Sequence, residues 1–104
     1  MSSKKHTFAR EDFLFTIGYE GSMAIVDRRA RARYRHLSGP DLARKGLFKP
    51  AVYSAIYNDS EEELEEILEI YNADAVVKVN STEDLKRLVG TFAVPEGVRR
   101  VKYI

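Results

Sequence analysis

The chain contains no cysteine, which excludes disulfide frameworks, thiolate metal sites and cysteine nucleophiles. Only two histidines occur, His6 and His36. They do not pair at metal-ligand spacing, and no acidic cluster does so either, so neither a metal nor another cofactor is expected. No apolar run approaches the length of a transmembrane helix. The basic start Met1-Ser2-Ser3-Lys4-Lys5-His6 is not followed by the continuous apolar stretch of a secretory signal; residues 13–17 are too few and too far along. No Gly-Lys-Ser/Thr occurs, and no third glycine follows Gly18 and Gly21, so neither a phosphate-binding loop nor a dinucleotide fingerprint is present. These absences point to a cytoplasmic protein without membrane association and without catalysis.

The 104 residues are 44% hydrophobic and 32% charged, as in a globular, soluble domain rather than a disordered chain. A chain of this size buries roughly two-thirds of its unfolded surface, enough for a core without staples. We expect a flexible tail over residues 1–11 and one globular domain over 12–104.

Charge is divided unevenly. Residues 1–50 hold eleven Lys/Arg and five Asp/Glu, whereas residues 51–104 hold six and eleven, although the net charge is only +1. The contrast concentrates in Arg28-Arg29-Ala30-Arg31-Ala32-Arg33-Tyr34-Arg35-His36 and in Asp59-Ser60-Glu61-Glu62-Glu63-Leu64-Glu65-Glu66. A near-neutral total can thus hide a positive face suited to a polyanion or an acidic protein.

The expected fold class is α+β. Phe13–Ile17 reads as a strand by its aromatic and β-branched content. Gly18-Tyr19-Glu20-Gly21-Ser22 supplies turn residues, and Met23–Val26 returns as the second strand of a hairpin. Met23, Val26, Ala30, Tyr34 and Leu37 also share a helical face, but Ile25-Val26 favour the strand, with Asp27 capping a helix behind it. A short helix over Asp41–Lys45 should follow Pro40 and end at Gly46. Pro50 should start another, through Tyr57. Ser60-Glu61-Glu62-Glu63 is a capping box that begins a helix carrying Leu64, Ile67, Leu68 and Tyr71. Ser81-Thr82-Glu83-Asp84 opens the next, with Leu85, Leu88, Val89 and Phe92 at helical spacing. Strand candidates follow at Asp74–Val79 and Val98–Ile104, forming a C-terminal strand–helix–strand with a parallel crossover. The hairpin and this unit should share one small mixed sheet, packed with three or four helices.

The arginine run is the principal candidate site. Its guanidinium forks are planar, always charged and suited to bidentate pairing. On a helix, Arg28, Arg31 and Arg35 lie near one face, and Arg29 and Arg33 on another. A solvated helix, or one neutralised against the Glu61–Glu69 helix, would equally account for it. Lys45 and Lys49 extend the basic set. Residues 42–56 have the flavour of a helix-turn-helix, but the spacing is short by one residue, Pro50 heads the second helix, and only Tyr53, Ser54 and Asn58 could read bases. Tyr19, in the expected turn, is the aromatic best placed for stacking on an unpaired base. The glycines around Tyr19 fit a hairpin better than an RNA-binding glycine loop, since a strand leads in and Glu20 is acidic. Glu20 and Asp27 could face each other across the hairpin, but Asp27 reads as a helix cap.

The expectation is therefore a small non-catalytic binding or regulatory module that engages a protein partner or itself through charge-segregated faces. The alternative is a nucleic-acid binder using the Arg28–Arg35 block, Lys45 and Lys49. An enzyme built on Glu20, Asp27 or His36 ranks third.

Overall fold

Side-chain caps set most of the helix starts. Asp27 Oδ1 accepts the Ala30 amide at 3.2 Å, and Ser38 Oγ accepts that of Asp41 at 3.2 Å. Ser60 and Ser81 do the same for Glu63 and Asp84, each at 3.1 Å. Each such cap is worth about 1 kcal/mol. The computed structural model describes residues 9–91 and 97–104. Its elements are α1 (Arg10–Leu14), β1 (Thr16–Glu20), β2 (Met23–Val26), α2 (Arg28–Tyr34), α3 (Gly39–Arg44), α4 (Phe48–Asn58), α5 (Glu61–Asp74), α6 (Thr82–Val89) and β3 (Arg100–Tyr103). They fall into two units, one from residues 1–35 and 94–104, the other from 36–93. No described helix is long and apolar enough to cross a membrane.

The first unit is built on a three-stranded mixed sheet in the order β1-β2-β3. β1 and β2 form the expected antiparallel hairpin, closed between Glu20 and Met23 by Gly21-Ser22. Gly21 has φ +56°, which a two-residue hairpin needs at its first central position. Gly18 lies inside β1 rather than in the turn. The pairing steps from Thr16↔Val26 to Gly18↔Ile25, so Ile17 is bulged out, and it is 59% exposed. Ala24 and Val26 of β2 are fully buried.

Residues 13 and 14 belong to α1, not to a strand, and β1 starts only at Thr16. The Asp12 and Phe13 amides both bond to the Ala9 carbonyl, and Thr16 Oγ1 donates to the Asp12 carbonyl at 2.6 Å. Phe13, Leu14 and Phe15 are buried in succession. A strand would turn alternate residues to opposite faces, whereas a helical turn leading into a strand brings all three inward.

The C-terminal strand–helix–strand does not form. Residues 75–80 are a loop, with Val76 fully exposed and Val77 77% exposed. Asn72 closes that loop: its amide donates to the Val79 carbonyl, and its carbonyl accepts the Val79 amide, both at 2.9 Å. The parallel partner of β3 is β2 instead, with Met23 opposite Arg100 and Val26 opposite Tyr103. The connection between them runs through the five helices α2–α6; with α1, the described residues hold six helices rather than three or four. The architecture remains α+β, a mixed sheet with several helices. Residues 1–8 of the expected tail, and Phe92, lie outside the described residues, while α1 begins at Arg10.

In the second unit α3, α4 and α5 pack together, with α6 against α4 and α5. Leu42, Ala51, Val52, Ala55, Ile67 and Leu85 are fully buried there. Leu88, expected to be apolar core, is 55% exposed. Pro50 is the third residue of α4, where its missing amide costs no helical bond. Gly46 and Gly90 follow α3 and α6 with φ +82° and +71°, the left-handed turn that ends many helices.

Only half of the capping box at Ser60 is made. The Ser60 amide already bonds to the Ala55 carbonyl, so Glu63 does not reach back. Its carboxylate instead accepts the hydroxyl of fully buried Ser54 at 2.8 Å and the Asn58 amide at 3.0 Å. Gly39 lies directly against this carboxylate. A Cβ there would collide with Glu63 Oε2 and sit 3.1 Å from the Ala51 carbonyl oxygen. Gly39→Ala should therefore destabilise the protein by about 1–3 kcal/mol through overpacking. The expected readout is a lower urea midpoint at unchanged slope; a midpoint equal to that of the parent would mean α3 moves aside freely.

Candidate functional site

The arginine run folds as α2 because alanine and arginine are good helix formers and Asp27 caps its start. Its five arginines are not equivalent. Arg28, Arg29, Arg33 and Arg35 are exposed. None of these four forms an ion pair among the described residues; Arg33 lies 6.0 Å from the centre of the Tyr34 ring.

Arg31 points the other way. Its Nε donates to Asp12 Oδ1 at 2.7 Å, and its Nη2 lies 3.5 Å from Glu11 Oε2. The Asp12 side chain is only 9% exposed and that of Arg31 23%. Tyr103 completes the group. Its hydroxyl donates to the same Asp12 oxygen at 2.9 Å, and the Arg31 guanidinium stands 5.2 Å from its ring centre. One carboxylate of α1 thus holds α2 and β3 together. The acids facing Arg31 come from α1, a neutralisation that no local pattern announces: the partners are 19 and 91 residues apart in sequence. Asp12, Glu11 and Tyr103 were accordingly missed. Their only sequence signal is an acidic pair directly before the apolar run 13–15.

Electrostatics follow from this packing. Burial opposes the Arg31 charge, but the hydrogen bond and charge of Asp12 outweigh it, and the pKa is raised. Burial raises the Tyr103 phenol above its ordinary value, and the hydrogen bond and charge of Asp12 add to the rise, with Arg31 opposing. Although 37% of Tyr103 is exposed, its hydroxyl is turned onto Asp12.

The other candidates are dispersed. Tyr19 is half-buried within β1 and not in an exposed turn. Its hydroxyl is buried, and that burial raises its pKa while a hydrogen bond with Thr16 opposes the rise. Lys45 and Lys49 are exposed but belong to the second unit, with Lys49 Nζ 5.8 Å from the centre of the Tyr53 ring. Tyr53 and Ser54 are buried in the core, so two of the three base-reading side chains proposed for the helix-turn-helix segment are withdrawn. Glu20 and His36 are exposed, and Asp27 is engaged as the α2 cap. Among the described residues, no group of three or more His, Asp or Glu side chains is placed to hold a metal. The acidic counterpart lies in the second unit. On α5, Glu61 accepts Thr82 Oγ1 at 2.7 Å, Glu66 pairs with Arg44 at 3.1 Å, and Glu63 is held as described above. Glu62, Glu65 and Glu69 are exposed and form no ion pair among the described residues.

Comparison of the chain with protein-family models, with curated proteins and with solved structures finds no match.

Removing one partner of a buried pair strands the other. A fully buried pair would lose about 3–5 kcal/mol, and the partial exposure of Arg31 reduces this to roughly 1–3 kcal/mol. Arg31→Met should therefore destabilise by that amount, whereas Arg29→Met and Arg33→Met should stay within about 0.5 kcal/mol of the parent. Urea unfolding of the three variants decides; equal midpoints would mean that Arg31 has no special role. A second expectation concerns pH. The raised phenol pKa values of Tyr19 and Tyr103 mean that the folded state holds those protons more tightly than the unfolded chain. The resulting stability is present below the usual tyrosine range and is lost as pH rises through about 10 and beyond. Unfolding midpoints should fall between about pH 9 and about pH 11, and fall less in Tyr103→Phe. A parallel decline in both proteins would remove Tyr103 from that linkage.

Proposed function

We propose that this chain is a small non-catalytic binding or regulatory module that engages a protein partner, or another copy of itself, through surfaces of opposite charge. One observation carries the reading. Arg28, Arg29 and Arg33 on α2 and Arg35 at its C-terminal cap are exposed without ion-pair partners among the described residues, while α5 exposes Glu62, Glu65 and Glu69 in the same condition. Exposed charges of this kind steer encounter and fix orientation more than they stabilise a fold. The absence of cysteine suits work in a reducing compartment such as the cytoplasm.

Nucleic acid is the second reading, favoured by the same four guanidinium groups, which also fit phosphates. It ranks lower because the features that would read or stack on bases are occupied elsewhere. Tyr53 and Ser54 are core residues, and Tyr19 lies in a strand with its hydroxyl buried.

An NMR titration tests both readings with poly-glutamate, mixed-sequence RNA and duplex DNA. The expected result is movement of the Arg28, Arg29, Arg33 and Arg35 signals with poly-glutamate at low salt. That movement should fade in about 1 M salt, where the screening length falls to about 3 Å. Arg31 should stay in place. Movement with RNA or DNA but not with poly-glutamate would turn the reading to nucleic acid. No movement with any probe would remove α2 as a binding surface.

A further inference from the structure

The exposed charges of α2 and α5 match in spacing as well as in sign. Arg28 and Arg35 lie near the helical face of Arg31, which is packed on the acids of α1, whereas Arg29 and Arg33 share another, exposed face. Arg29 and Arg33 are four apart, as are Glu65 and Glu69, and both pairs span about 6 Å. Helical periodicity gathers Glu62, Glu65 and Glu69 into one stripe. That stripe faces away from Leu64 and Ile67, which are buried in the core of the second unit. The remaining acids of the α5 start are already engaged by Thr82, Ser54, Asn58 and Arg44. Arg31, the one α2 arginine with acidic partners among the described residues, is removed from the exposed set.

We infer that the Arg29–Arg33 face of α2 in one copy of this chain docks on the Glu62–Glu65–Glu69 stripe of α5 in a second copy. This rests on the reading of α2 as a binding surface and names its occupant. Arg29 and Arg33 are exposed, as are Glu62, Glu65 and Glu69. Pairing unlike surfaces brings opposite charges together, while like surfaces repel each other, so association has a fixed orientation. The contact is heterologous: α2 meets α5, not a second α2.

Analytical ultracentrifugation with charge reversal tests this. The parent protein should sediment above the mass of one chain at low salt and return to it as salt rises. The double variant Arg29→Glu with Arg33→Glu should remain a single chain, and so should Glu65→Arg with Glu69→Arg. Mixing the two variants in equal amounts should restore association, because each supplies the surface the other has lost. All four positions are exposed, so both variants should keep the parent's helical circular dichroism. The inference is overturned if the parent is a single chain at low salt, or if it associates equally well after either reversal. It is likewise overturned if the mixture of variants stays monomeric. The poly-glutamate titration separates the two levels: arginine signals that still move in a monomeric parent would overturn self-docking and leave the binding reading standing.

Discussion

A carboxylate nine-tenths shielded from water must find partners, because an uncompensated buried charge is among the costliest features a fold can carry. Asp12 finds them in Arg31 and Tyr103, from two segments remote in the chain. The consequences spread through the first unit. Tyr103 is the last residue of β3, so its hydrogen bond ties the end of that strand beside β2. The backbone continues the junction, with the Ile104 amide on the Val26 carbonyl at 3.0 Å and the Arg28 amide on the Ile104 carbonyl at 3.2 Å. The parallel β2–β3 pair, the start of α2 and the short helix α1 thus meet around one side chain.

The same interaction shapes the charge pattern. An arginine run of five becomes an exposed set of four because Arg31 is turned inward. The division of charge between the two units is the same as that between the sequence halves, although different residues make it up. The unit of residues 1–35 and 94–104 contains Arg99, Arg100 and Lys102, which belong to the acidic half by sequence. The unit of residues 36–93 takes Arg44, Lys45 and Lys49 in exchange. Each unit therefore has a clear sign of its own: eleven Lys/Arg against five Asp/Glu in the first, and six against eleven in the second. Net charge of a domain is an argument about association rather than about fold.

Local chemistry was readable in the sequence, and long-range choice was not. The caps at Asp27, Ser60 and Ser81 act over three residues, and the turn at Gly21 over four, so each is written in the residues beside it. The extended reading of Asp74–Val79 failed because β-branched propensity describes a residue's fit to a sheet, not the presence of a neighbour to pair with. The edge of β2 is taken by β3, and Asn72 closes the loop instead. Over residues 13–15 three apolar residues in a row cannot separate a strand from a helical turn. The capping box at Ser60 forms in its first half, while in place of the second the left-handed Asp59 at the end of α4 carries the Ser60 amide onto the Ala55 carbonyl, and the packing of α4 against α5 brings Ser54 to Glu63. For the candidate site, the basic run is evident from composition alone. That one member of it is bound to Asp12 depends on contacts across 19 residues, which no periodicity encodes.

Arg31 is bound within the first unit, whereas Arg28, Arg29, Arg33 and Arg35 are exposed and form no ion pair among the described residues. Side-chain NMR of the arginine Nε–H groups at low salt and dilute protein tests this assignment most directly. One slowly exchanging signal is expected, from the Arg31 Nε–H held on Asp12, with rapidly exchanging signals from Arg28, Arg29, Arg33 and Arg35. A protected signal from any of those four, or an Arg31 signal that exchanges as fast as theirs, would contradict it.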